Sequence, residues 1–325
     1  MSKDKPSAKD LKKSLFSQKK HASLLIKDSE IKKADKFCED YKKFLNHAKT
    51  EREAVEFAVK QLEENGFVKF SKNMKLSAGS KVYYNNRGKA IIASIIGTDP
   101  IEEGTRICAA HIDSPRLDLK QCPVYEADEI ALFKTHYYGG IKKYQWTTIP
   151  LSLHGVIVKQ DGTSVKINIG EDENDPVFCV TDLLPHLATE QMKRPATQIV
   201  TGEELNIVIG SRPFKSDSES ELVKLNILKI LNEKYGITED DFLSAELEAV
   251  PAFKAQDVGF DRSMIGSYGH DDRVCAYPAL QAILKCKNPK KTSVVVLTDK
   301  EETGSDGNTG LVSSYLKYFI ADLAE

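Results

Sequence analysis

Residues 292–305 read Thr-Ser-Val-Val-Val-Leu-Thr-Asp-Lys-Glu-Glu-Thr-Gly-Ser. A β-branched apolar run that breaks into acids and a glycine is the pattern of a buried strand delivering a polar loop. We read strand at 292–298, loop at 299–308 and helix at 310–324, preceded by a helical pattern at 274–286. The same alternation occurs earlier. Thr50-Glu51-Arg52-Glu53 is a capping box, the helix it opens carries Ala54, Val55, Ala58, Val59 and Leu62, and Gly66 stops it. Lys81–Tyr84 and Ala90–Ile96 read as strands joined by a turn at Asn85-Asn86-Arg87-Gly88. Thr105–Ala110 predicts a short buried strand that ends directly in His111-Ile112-Asp113-Ser114-Pro115. Helices and strands in this rhythm predict an α/β domain.

The middle of the chain has a different texture. Short β-like pieces at 130–138, 149–158, 164–169 and 204–209 are separated by Gly, Pro and Asp turns, with a further extended stretch at 246–251. Helical spacing is scarce there and returns at 219–235. The expected organisation is therefore a discontinuous α/β domain, 1–120 and 251–325, interrupted by a mostly β domain at 121–250. Residues 30–48 predict one more helix, and the Lys-rich residues 1–22 a frayed arm or loosely docked helix.

Length and composition narrow the class. A chain of 325 residues exceeds what one core usually serves, so two domains are the expectation. Lys and Arg number 46 against 48 Asp and Glu, a net charge of −2. That balance argues against a nucleic-acid or anionic-membrane binder. No apolar run approaches the roughly 20 residues of a membrane span, and residues 1–20 lack the apolar core of a secretory signal. Six cysteines without a C-x-x-C pair read as reduced thiols of a cytoplasmic protein. Cys108 reads as a core cysteine, although it forms a C-x-x-H spacing with His111.

Three polar clusters fall where α/β folds place their sites, at strand exits or helix starts: His111-Ile112-Asp113, Asp271-Asp272-Arg273 and Asp299-Lys300-Glu301-Glu302-Thr303-Gly304. One histidine among carboxylates is a mixed N/O donor set, suited to zinc, manganese or cobalt. Residues i and i+2 of a strand point the same way, so Asp113 can hold the second ring nitrogen of His111. The two oxygens of Asp271 allow it to bridge two metals. Glu301 and Glu302 point in different directions, so one can bind metal while the other takes a proton from the attacking water.

The sequence resembles the aspartyl-aminopeptidase family of dinuclear metallopeptidases. The resemblance runs from about residue 30 to the end and is carried by His111-Ile-Asp-Ser-Pro, Tyr138-Gly-Gly, Leu151-Ser-Leu-His-Gly, Leu184-Pro-His-Leu-Ala, Asp271-Asp-Arg, Tyr277-Pro-Ala-Leu and Glu301-Glu-Thr-Gly-Ser. It implies a mixed-sheet zinc-peptidase catalytic domain of the phosphorylase/hydrolase-like type, with an inserted, mostly β dimerisation domain. It implies two divalent metal ions, zinc first, with cobalt or manganese as alternatives. His111 would be a ligand with Asp113 behind it, Asp271 the bridge, Glu301 the general base and Glu302 a ligand of the second metal. The Asp271–Asp272 peptide would be cis. His186 would reach from the inserted domain into a neighbouring subunit's active site. The reaction would be removal of the N-terminal residue from peptides with a free α-amine, by a homo-oligomer built from dimers and reaching a dodecamer. Asp272 stands where the family usually has Asn. His136, His154 and His270 are assigned structural roles, with lining of the pocket as the alternative for His270.

The family pattern also calls for an Asp and a His well beyond Glu302. Here Asp306, Asp322 and Glu325 are the only later acids and no histidine follows. The sequence reading thus expects a C-terminally truncated member with two protein ligands per metal. Two other readings stand beside the aminopeptidase: a catalytically inactive fragment serving assembly or interaction, and a related two-metal deacylase or carboxypeptidase.

Overall fold

The computed structural model describes residues 7–216 and 219–324. The chain forms two compact units, Met1–Lys42 and Lys43–Glu325. The first holds α1 (Ala8–Leu15), capped by Ser7 Oγ accepting from the Asp10 amide, and most of α2 (Asp28–His47). Residues 1–6 of the Lys-rich arm lie outside the described residues.

The second unit carries two main sheets. After α3 (Glu51–Glu64) come β1 (Val68–Lys69), β2 (Lys81–Asn86), β3 (Ala90–Ile95) and β4 (Arg106–His111). The chain then enters β5 (Arg116–Ala127), β6 (Ile130–Tyr138), β7 (Leu151–Val158), β8 (Ser164–Ile169), β9 (Cys179–Val180) and β10 (Ile207–Gly210). It continues through α4 (Leu222–Tyr235), β11 (Ala245–Pro251), a hairpin of β12 (Gln256–Val258) and β13 (Met264–Gly266), α5 (His270–Lys285), β14 (Ser293–Thr298) and α6 (Tyr315–Ala324). The first sheet is mixed, in the order β1-β2-β3-β14-β4; the second has seven antiparallel strands, β8-β7-β11-β5-β6-β10-β9.

Local chemistry accounts for the boundaries. Thr50 Oγ1 accepts from the Glu53 amide while Glu53 reaches back to the Thr50 amide, and Gly66 ends the segment at φ +81°. Asn85 and Asn86, expected in the turn, close β2 instead; the three-residue loop between the paired Asn86 and Ala90 places Arg87 and Gly88 at φ +61° and +71°. On one face of the mixed sheet Val82, Ile92, Val294 and Val296 pack with Phe319 of α6. The seven-stranded sheet buries Leu117, Phe133, Leu151, Leu153, Ile157 and Leu247, with Leu228 and Leu231 of α4 against them.

Three details depart from the sequence reading. The strand expected to be buried at 105–110 is the edge of its sheet, and Arg106, Ile107, Cys108 and Ala109 are exposed. Cys108 is therefore a surface thiol and not a core residue. An apolar run reports β-propensity, but it does not say on how many sides the strand is covered. The last helix starts at Tyr315, because residues up to Gly310 are held by a bridge between Asp299 and Gly310. A twelve-residue strand at 116–127 is also new; Gln121-Cys122-Pro123 break the alternation that Leu117-Asp118-Leu119-Lys120 begins, and its register shifts between Leu119 and Val124.

Candidate metal centre

β4 and β14 are parallel partners, and their last residues, His111 and Thr298, are opposite one another. Pairing brings two polar exits to one end of the mixed sheet. Beyond Thr298 the chain turns through Lys300 at φ +71°, so that Glu301–Thr303 form one 3₁₀ turn. The amides of Glu301 and Glu302 both donate to Asp113, to Oδ1 at 3.3 Å and Oδ2 at 3.2 Å. A buried carboxylate thus caps this turn and aims the two Glu side chains.

Asp113 also orients His111. The Nδ1 of His111 lies 3.0 Å from the Asp113 carbonyl oxygen and 3.3 Å from its Oδ1. These acceptors assign the Nδ1 proton and leave Nε2 for the cluster. Nε2 is 3.2 Å from Asp271 Oδ1 and 3.6 Å from Glu301 Oε2. One donor atom each from His111, Glu301 and Glu302 lies within 4.8 Å of the others. Asp271 joins through its contact with His111, its side chain 87% exposed. Its peptide bond to Asp272 is cis, and both residues depart from helical backbone within α5. Ser114 Oγ donates to the Asp271 carbonyl at 3.0 Å and accepts from Arg273 Nη1 at 2.9 Å.

The electrostatics favour a cation here. Burial opposes charge on His111, but the hydrogen bond and charge of Asp113, aided by Glu301, outweigh it and push the ring up to about 9. Burial, with Asp113, Asp271 and Glu301 as like charges, raises the Glu302 carboxyl despite the opposing effect of His111. Asp113 is held low: burial opposes this, and the hydrogen bonds from His111 and Tyr138 overcome it. Crowded carboxylates around one oriented imidazole are a donor set that fits zinc.

The other candidates lie elsewhere. His186 is exposed in a turn, and no metal-type donor cluster among the described residues includes it. His270 Nε2 lies 3.0 Å from the Ile265 carbonyl oxygen. His154 is buried between Glu53 and Glu171. Asp322 pairs with Lys72 at 3.4 Å, Asp306 is exposed, and Glu325 lies outside the described residues. Ser114, Arg273 and Tyr138, whose hydroxyl donates to Asp113 Oδ2 at 2.7 Å, carry supporting roles that the sequence reading had not assigned. Their signal was present only as positions within the quoted motifs.

An oriented histidine beside carboxylates at the strand ends of a mixed sheet is the construction of a metallohydrolase. The profile of the Aminopeptidase I zinc metalloprotease (M18) family matches residues 44–325, and the chain belongs to that family. A probable M18 family aminopeptidase 1 of Clostridium acetobutylicum is 52% identical over 313 residues, 95% of this chain and 67% of the relative. The crystal structure of the M18 aminopeptidase from Thermotoga maritima superposes with a TM-score of 0.90 at 47% identity, covering 95% of this chain and 67% of that one. The S. cerevisiae mApe1 dodecamer shares the fold at a TM-score of 0.67 and 19% identity, over 87% of this chain and 65% of that one. The chain thus spans about two thirds of the length of the relatives it matches. Among the described residues no helix is long and apolar enough to cross a membrane.

Proposed function

We propose that this chain carries the metal-binding centre of an aminopeptidase acting on peptides with a free N-terminus. In this reading His111, Asp271 and Glu302 would hold two divalent ions, with zinc preferred. The observation that carries it is the convergence of His111 and Glu302 donors with the base Glu301 within 4.8 Å, and of Asp271 Oδ1 at 3.2 Å from His111 Nε2. Bound ions would supply positive charge for the oxygen of the scissile carbonyl. Glu301, 56% exposed, is open to solvent while its backbone is fixed by Asp113. It takes a proton from the attacking water and returns it to the departing amine. Asp113 stays ionised and keeps the His111 ring in one orientation throughout.

The seven-stranded sheet, with its connections across residues 121–250, serves as the inserted dimerisation domain of a cytoplasmic homo-oligomer. The loop around His186 presents Leu183, Leu184 and Leu187 at 53, 68 and 71% exposure. That apolar surface suits burial against a second subunit, which would carry His186 toward the neighbour's centre. The S. cerevisiae mApe1, of the same fold, is a dodecamer. The test is release of an aminoacyl chromophore with zinc, cobalt or manganese added. Glu301→Gln is expected to lose at least 100-fold in kcat at unchanged metal content, the range general-base removal covers. Full activity in that variant would overturn the assignment.

A further inference from the structure

The Tyr138-Gly139 step connects the seven-stranded sheet to the candidate centre, yet neither residue is a ligand or the base. Tyr138 ends β6 and is 7% exposed. Its hydroxyl donates to Asp113 Oδ2 at 2.7 Å, the oxygen that also accepts from the Glu302 amide. Its ring carries the Arg116 guanidinium at 3.8 Å and the Lys300 ammonium at 5.1 Å from the centroid. Arg116 is the register partner of Tyr138 across β5 and β6, and is itself fixed by Glu51, Asp118 and Glu248. The phenol therefore has one available position, and that position holds the Asp113 carboxylate.

Gly139 acts by what it lacks. Its φ is +73°, and a Cβ there would stand 3.2 Å from Glu302 Cβ and 3.3 Å from Glu302 Oε2. The absence of a side chain leaves room for Glu302 beside it. Gly140, the next residue, has open space where its Cβ would be. One residue thus fixes the carboxylate behind His111, and its neighbour fixes the side chain of Glu302.

We propose that Tyr138 and Gly139 are positioning residues through which the seven-stranded sheet sets the metal affinity of His111 and Glu302. The proposal rests on the metal-centre reading above. Loss of a partner behind a liganding histidine typically weakens metal binding 10- to 100-fold. Tyr138→Phe keeps the ring and its cations and removes only the hydroxyl. Gly139→Ala adds a methyl 3.2 Å from Glu302 Cβ, tighter than ordinary contact, at a φ of +73° that alanine adopts only with strain.

The test is titration of the 325-residue chain with Co2+, read from the visible ligand-field band, beside a urea midpoint for each variant. Tyr138→Phe and Gly139→Ala are expected to bind Co2+ at least 10-fold more weakly and with an altered band while remaining folded. Tyr137→Phe and Gly140→Ala are expected to match the parent. Parental affinity in folded Tyr138→Phe and Gly139→Ala would overturn the proposal and assign both positions to packing alone. Parental affinity in His111→Ala would instead overturn the metal-centre reading, so the two failures are distinguishable.

Discussion

Thr298 and His111 are opposite residues on parallel strands, and each is the last residue of its strand. That pairing decides where the chemistry lies. The Asp299–Gly304 loop and the His111–Pro115 loop leave the sheet side by side, and Asp113 ties them together with two backbone amides. The candidate centre joins three stretches far apart in sequence, at His111–Asp113, Asp271 and Glu301–Glu302. His111 and Asp271 are brought within 3.2 Å across 160 positions.

Asp113→Asn should weaken metal binding. The variant keeps the shape of the side chain but places an NH2 against the donors that now meet a carboxylate. It also removes the charge behind His111. Zinc affinity measured by calorimetry is expected to fall about 10- to 100-fold. Unchanged affinity would show that the ring is held by the Asp113 carbonyl oxygen alone.

Zinc should stabilise the fold through linkage. An ion that binds only the folded chain, present at 100 times its Kd, adds about 2.7 kcal/mol to the unfolding free energy. The thermal midpoint should therefore rise with zinc and return on chelation. The rise should be absent in His111→Ala. An identical rise in that variant would place the stabilising ion elsewhere.

Stability should decline from neutral toward alkaline pH through His154. The ring is 1% exposed, with Nδ1 2.9 Å from Glu53 Oε1 and Nε2 3.1 Å from Glu171 Oε1. Lys49 and Lys254 share Glu171, and Asn168 shares Glu53. Burial opposes the charge on His154, but the hydrogen bonds to Glu171 and Glu53 outweigh it, so the folded ring titrates above its ordinary value. A raised histidine contributes fully below the unfolded pKa of about 6.5 and loses that contribution as pH climbs through the folded pKa. Urea unfolding followed upward from pH 6.5 should show a decline in unfolding free energy. His154→Gln should make it shallower, leaving the part that the raised His111 ring contributes. A decline of equal size in the variant would assign it to other groups.

Thr50→Ala should cost about 1 kcal/mol of unfolding free energy, as loss of a helix N-cap does. Thr50 is 3% exposed, and water cannot replace its hydroxyl on the Glu53 amide. Glu53 links this cap to His154, so the cost should shrink in a His154→Gln background if the two act as one unit. A urea double-mutant cycle measures the coupling, and strict additivity would make them independent.

The sequence by itself determined the α/β rhythm, the capping box at Thr50, the presence of a turn between β2 and β3 and the identity of the polar strand ends. These are local properties: periodicity, capping chemistry and the backbone freedom that φ > 0 requires. His111, Asp113, Asp271, Glu301 and Glu302 could be chosen from the residue types that hold a cation. Three things needed the tertiary structure. Edge or centre is a matter of strand order, so the exposure of β4 and Cys108 was not encoded in an apolar run. The supports of the centre come from distant segments, with Tyr138 arriving on β6 and Arg273 on α5. His154 on β7 meets Glu53 of α3 and Glu171 just beyond β8, and only that convergence gives a lone histidine two carboxylates. Short-range chemistry names the donors, and packing between segments far apart in the chain decides which of them meet and how firmly they are held.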